Sequence, residues 1–106
     1  MIAPGVKLSM MNLSNSTALL PMFNLRNSQR NYGRNTKEAL NAGFIWGYEG
    51  LINNIINKIT SKWKMQYKII LTGGYAKFFK KIIKRKTIVD QNITIKGIIK
   101  ILKELI

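Results

Sequence analysis

The order of elements legible along these 106 residues predicts an α/β chain. Three observations carry that expectation. A long central stretch repeats apolar residues at helical spacing, two short apolar runs end in turn-forming residues, and the last dozen residues set lysines opposite isoleucines and leucines.

The first element is a helix from Val6 to Leu20, bounded by Pro4 and Gly5 ahead of it and by Pro21 behind. Proline lacks the N–H a helix needs and disfavours helical geometry in the residue before it, so Pro21 marks the stop. Met22 to Arg34, rich in Asn, Ser, Arg and Gln, reads as a loop or an edge strand around Phe23 and Leu25. Asn35 then stands three residues before Glu38, a spacing in which the amide caps the third backbone N–H and the carboxylate reaches back toward the cap. The helix that begins there carries Leu40, Phe44, Gly47, Leu51, Ile55 and Ile59 on one face for about six turns. Each of Gly43, Gly47 and Gly50 costs about 1 kcal/mol of helix propensity, so a close approach by another backbone or a ligand is expected beside them.

Tyr67 to Leu71 fits a buried strand closed by Thr72, Gly73 and Gly74. Tyr75 to Ile83 reads as a basic amphipathic helix with Phe78, Phe79, Ile82 and Ile83 on its apolar side. A brief strand from Thr87 to Val89 ends at Asp90, and a final helix runs from about Thr94 to Ile106 with Lys96, Lys100 and Lys103 on its polar face.

Composition narrows the chemistry. A chain of 106 residues fits one small domain. It has no cysteine and no histidine, which removes disulfides, thiolate nucleophiles, the commonest general base and the commonest metal ligands. The carboxylates are Glu38, Glu49, Asp90 and Glu104, in no acid/base or metal-binding spacing, so we expect neither a catalytic residue nor a metal ligand here. The net charge of +14 raises the question of an anionic partner. Isoleucine, lysine and asparagine together make 42 of the 106 residues, all favoured by codons rich in A and T, and base composition is the simpler source of the charge. A basic nucleic-acid-binding module is the alternative, resting on Lys77, Lys80, Lys81, Lys84, Arg85 and Lys86 with Tyr75, Phe78 and Phe79 interleaved. The aromatics fall on the apolar helix side, so neither nucleic acid nor a membrane is the expected partner. No secretory signal or apolar run of membrane-spanning length is visible, which makes the cytoplasm the expected location.

Single motifs do not name a function: Thr36 can simply start a helix, Thr72-Gly73-Gly74 can be only a turn, and Asp90 can end a strand. Their order is more specific. Ile2-Ala3-Pro4-Gly5, Leu20-Pro21, Gly33-Arg34-Asn35-Thr36, Gly43, Gly47-Tyr48, Thr72-Gly73-Gly74-Tyr75-Ala76, and Asp90 through Thr94 to Gly97 follow one another along nearly the whole chain. In that order they resemble type III pantothenate kinase. The resemblance implies an actin-like ATPase-superfamily kinase, of which residues 1–106 would be the C-terminal ribonuclease H-like half, a single domain. It implies ATP-dependent phosphorylation of pantothenate, the first step toward coenzyme A, by a homodimer using ATP with Mg²⁺ and a monovalent cation, K⁺ or NH₄⁺. By position, Thr36 matches the threonine that contacts pantothenate, Thr72, Gly73 and Gly74 match the loop facing the adenosine, and Pro4 and Gly5 match a turn bordering the active site. Tyr32 departs from the aliphatic residue usual before that glycine. The family's Asp-x-Gly-Asn phosphate loop, its Gly-Ala-Asp-Arg segment with the catalytic aspartate and its cation-binding aspartate do not occur in these residues. They belong to an N-terminal kinase half, so the expectation is a chain inactive alone and prone to self-association through an uncovered apolar face.

Overall fold

A computed structural model describes residues 1–16, 20–26, 31–63 and 66–106. The elements are α1 (Val6–Ser16), α2 (Thr36–Trp63), β1 (Ile69–Leu71), α3 (Ala76–Lys80), β2 (Thr87–Val89) and α4 (Ile93–Leu105). The mixture of helices with a parallel pair of strands is the α/β class read from the sequence. By its internal contacts the chain divides into two compact units, Met1–Ile52 and Asn53–Ile106, with the division falling inside α2.

In the first unit, α1 starts as Ser9 N–H donates to Gly5 O at 3.0 Å, and it buries Val6 and Met10, one turn apart on a single face. The expected continuation to Leu20 crosses residues 17–19, outside the described residues, as are residues 27–30 of the loop that follows. Among residues 20–26 there is no strand, so of the two alternatives for this segment, a loop or an edge strand around Phe23 and Leu25, the described residues form the loop. Phe23 is instead a buried plug, its ring edge-to-face against Phe44 of α2 at 5.3 Å, a geometry aromatic quadrupoles favour.

The start of α2 is built as the sequence suggested, with one change. Asn35 Oδ1 accepts from Glu38 N–H at 2.9 Å, and Glu38 Oε2 accepts from Arg34 N–H at 2.8 Å, one residue before the cap rather than at the cap itself. Glu38 in the first turn and Lys62 in the last also suit the helix dipole. The buried stripe differs from the expected one. Asn41, Ala42 and Ile45 are buried, while Gly47 and Ile59 are exposed and Leu40, Phe44, Leu51 and Ile55 half-buried. That rotates the inward face by roughly a third of a turn. The same rotation opens the glycines: a methyl group built on Gly43, Gly47 or Gly50 meets nothing within 4 Å among the described residues, so none of those backbones makes the close approach expected there.

In the second unit, β1 and β2 pair in parallel, Ile69 with Thr87, Ile70 with Ile88 and Leu71 with Val89. The strand expected to be buried is only half-buried, at Ile69 and Leu71, and exposed at Ile70. Ala76, Ile82, Ile83 and Thr87 form the core, whereas Ile70 and Ile88, partners in register, are each about two-fifths exposed. The helix expected from Tyr75 to Ile83 closes early at Lys80. Ile82 N–H and Lys81 N–H tighten to carbonyls three residues back, and Asn53 of α2 takes over the next backbone groups, its Nδ2 donating to Ile82 O and its Oδ1 accepting from Lys84 N–H, both at 3.0 Å. Ile82 and Ile83 are buried as expected, but on a turn.

Candidate functional site

In the first unit, the Gly33-Arg34-Asn35-Thr36 segment wraps the N-terminus of α2. Gly33 has φ of 101° and donates its N–H to Asn31 Oδ1 at 2.9 Å. A Cβ there would overlap Ala39 N and lie 2.7 Å from Glu38 C, so glycine alone lets the loop lie against the first helical turn. Beside this turn is an open cavity of about 800 Å³. Arg26, Arg34 and Lys37 outnumber the one lining carboxylate, Glu38, and give it net positive charge, Asn35 and Asn41 add amide groups, and Phe23 adds an apolar wall. Asn41, buried, accepts from Arg26 N–H at 2.7 Å and so holds the strip carrying Arg26 to α2. Three cations beside the N-terminus of a 28-residue helix favour an anionic guest. Thr36 is the first residue of α2 and exposed, between Asn35 and Lys37 of the lining but not itself part of it.

The Pro4-Gly5 turn is held elsewhere on the same helix. Tyr48 hydroxyl donates to Pro4 O at 3.1 Å and hydrogen-bonds Ser9 Oγ at 3.1 Å, while its ring stacks on Phe44 at 6.0 Å. Twelve residues separate Tyr48 from Thr36, about three turns of α2. Pro4 and Gly5 are therefore not gathered at Thr36. Tyr48 was legible only as part of the Gly47-Tyr48 pair, with no role attached, and the structure makes it the anchor of the turn.

In the second unit, Thr72, Gly73 and Gly74 leave β1 as an exposed loop. Gly73, at φ 97°, is gripped by one side chain: Gln91 Nε2 donates to Gly73 O at 2.9 Å and Gln91 Oε1 accepts from Gly73 N–H at 3.1 Å. The Gly73 N–H is thus taken by Gln91, and α3, at five residues, adds little dipole. Gly74 faces open space, leaving that side of the loop accessible. Nothing about Gln91 in the sequence flagged it, because its partner lies 18 positions away.

Asp90 continues the ladder, its N–H donating to Leu71 O at 2.9 Å. Its carboxylate accepts from Lys96 Nζ at 2.8 Å and from Asn92 N–H at 2.9 Å. The Lys96 hydrogen bond, followed by that of Asn92, holds the Asp90 carboxyl below its ordinary value. A carboxylate depressed in the folded state stabilises above its unfolded pKa and loses that contribution as pH falls through the folded pKa. In an NMR titration the Asp90 midpoint should therefore fall below that of an ordinary aspartate, and Lys96→Met should move it up; equal midpoints in the two proteins would contradict the pairing.

Among the described residues no three His, Cys, Asp or Glu side chains converge on a possible metal site, and Glu38 and Asp90 are already committed to backbone and lysine partners. Nor, among the described residues, is any helix long and apolar enough to cross a membrane. Lys77, Lys80, Lys81, Lys84, Arg85 and Lys86 are all exposed, but Tyr75, Phe78 and Phe79 pack on one another with centroids 5.6 to 6.4 Å apart. Rings spent on each other are poorly placed to stack on bases.

The family model for type III pantothenate kinase matches residues 1–58, more than half of the chain. The chain belongs to the type III pantothenate kinase family. Proteins named type III pantothenate kinase in Pelagibacter ubique, Maricaulis maris and a Sulfurihydrogenibium species are 50% identical over 99 residues, 31% over 102 and 33% over 98. These alignments take in 93%, 96% and 92% of this chain but 40%, 39% and 39% of the relatives, so the chain spans about two-fifths of their length. The match to residues 1–58 contains the Pro4-Gly5 turn, Thr36 and the whole cavity lining.

Proposed function

We propose that residues 1–106 form the C-terminal ribonuclease H-like part of an actin-like kinase that phosphorylates pantothenate with ATP, and that they act as a single functional domain of it. The observation that carries this reading is the 50% identity to the Pelagibacter ubique type III pantothenate kinase across 93% of the chain. The cavity agrees with it in chemistry. Pantothenate bears a carboxylate, hydroxyls and an amide, and Arg26, Arg34, Lys37 and Asn35 offer cations and an amide to such groups. In this reading Thr36 adds a hydroxyl at the cavity's edge, the accessible side of Thr72, Gly73 and Gly74 meets the nucleotide, and Pro4 and Gly5 border the site. Gly73 contributes shape rather than a donor, since Gln91 occupies its N–H.

Among the described residues no three His, Cys, Asp or Glu side chains converge that could hold Mg²⁺. The cations and the catalytic aspartate belong, in this proposal, to protein outside these residues, and so does the phosphate loop. A cytoplasmic homodimer is the assembly we infer. To test the site, the chain is combined with the unmatched part of the Pelagibacter ubique relative. Thr36→Val should then raise KM for pantothenate about tenfold, the equivalent of one hydrogen bond, with KM for ATP within about twofold. A KM for pantothenate unmoved by Thr36→Val would remove Thr36 from the site.

A further inference from the structure

Within Asn53–Ile106 two loops leave the same end of the parallel strand pair. Thr72-Gly73-Gly74 follows β1 and Asp90-Gln91-Asn92 follows β2, with Asp90 N–H donating to Leu71 O as the last rung between them. Parallel α/β sheets take their ligands outside the carboxyl ends of the strands, which is where both loops stand. The second loop grips the first through one side chain. Gln91 Oε1 accepts from Gly73 N–H and Gln91 Nε2 donates to Gly73 O, at 3.1 and 2.9 Å. These two groups belong to the successive peptides flanking Gly73 Cα, so the carboxamide pins φ and ψ of that residue together, as a neighbouring strand does for a residue in a ladder.

Gly73 needs such a grip. Its φ of 97° lies in a region that glycine enters and leaves freely for want of a Cβ. A methyl built on Gly73 or Gly74 meets nothing within 4 Å among the described residues, so packing does not hold the pair, and Gly73 O takes besides Gln91 only the longer bond from Ala76 N–H, at 3.2 Å. Gln91 is itself fixed on both sides. Asp90 closes the ladder before it, and the Asp90 carboxylate accepts from Asn92 N–H at 2.9 Å and Lys96 Nζ at 2.8 Å, while Lys96 N–H donates to Asn92 O at 2.9 Å as α4 begins. A side chain on so fixed a corner imposes a shape on its partner. We propose that Gln91 is the positioning residue of the nucleotide loop, acting through Gly73 to hold Thr72-Gly73-Gly74 in the one conformation that binds ATP. The proposal rests on the nucleotide part of the functional reading above. Apparent affinity falls with the fraction of molecules in the competent conformation, so releasing the loop weakens ATP binding without removing a contact to it.

The test is equilibrium binding to this chain combined with the unmatched part of the Pelagibacter ubique relative, titrated with ATP and, separately, with pantothenate. Gln91→Met keeps the length of the side chain and loses both hydrogen bonds. Gln91→Glu keeps its shape and the acceptor for Gly73 N–H, but turns a second acceptor toward Gly73 O. Each should raise Kd for ATP about tenfold and leave Kd for pantothenate within about twofold. Amide exchange at Gly73 should quicken in Gln91→Met, whose acceptor is gone. A Kd for ATP unmoved by either substitution, or an equal loss of both ligands, would overturn the proposal and leave the kinase reading standing. A role confined to stability would lower Tm with both Kd values in place, and that result also overturns it. An unsubstituted sample that binds no ATP would overturn both. ATP binding that depends on Gln91 in a sample forming no 4′-phosphopantothenate would sink the kinase reading alone.

Discussion

Gly33→Ala should destabilise the chain by about 2–4 kcal/mol. Two costs combine. A non-glycine residue held at positive φ costs of order 1 kcal/mol or more. The added Cβ then collides with Ala39 N and Glu38 C, which are backbone atoms of the first turn of α2 and can yield only if that turn unwinds. Unwinding it would release the Asn35 and Glu38 hydrogen bonds as well. Against the 5–15 kcal/mol typical of a folded domain, this is a large fraction. Gly43→Ala supplies the opposite sign: Gly43 lies inside α2, exposed and with open space around it, so alanine should stabilise by about 0.5–1 kcal/mol. Urea unfolding of both variants checks the pair. Equal stabilities, or the reverse order, would contradict the placement of Gly33.

Asn53→Ala should cost about 1–3 kcal/mol, because it strips partners from Ile82 O in a part-buried setting and from the exposed Lys84 N–H together. For a chain of this size that corresponds to a fall in Tm of roughly 5–15 °C. Amide exchange gives a local readout: Lys84 N–H should lose protection before its neighbours in β2. Unchanged Tm together with unchanged protection at Lys84 would show that the turn after α3 is held by something other than Asn53.

These two residues also mark the line between what was legible and what was not. The cap at Asn35 and Glu38 and the helix ending near Ile106 depend on interactions within a few positions, and both stand close to where the spacing put them, as does the strand at Thr87–Val89, although its partner β1 lies 18 positions earlier. The length of α3 was not legible, because Asn53, some 30 positions earlier in the chain, caps the backbone that would have continued it. The inward face of α2 was misread for a different reason. Leu40, Phe44, Leu51 and Ile55 lie on one side, Ala42, Ile45 and Ile52 on another, and periodicity cannot choose between two apolar sides of one helix. Gly33 was visible as part of a motif, but the contact that demands glycine there is with a turn five to six residues on. Thr36 and the loop at Gly73 are expectations from the order of motifs along the chain, and Arg34 of the cavity stands in the same motif as Thr36, whereas Arg26 and Lys37 were not singled out. Cations in a chain with 18 of them carry no positional signal until the fold draws three to one place.

Phosphorylation of pantothenate, followed as ATP-dependent formation of 4′-phosphopantothenate, is the measurement to make on three samples: these 106 residues, the unmatched part of the Pelagibacter ubique relative, and the two together. Product from the combined sample alone is the expected result. No product from any sample in which a complex has formed, or equal product without this chain, would contradict its role as part of a pantothenate kinase.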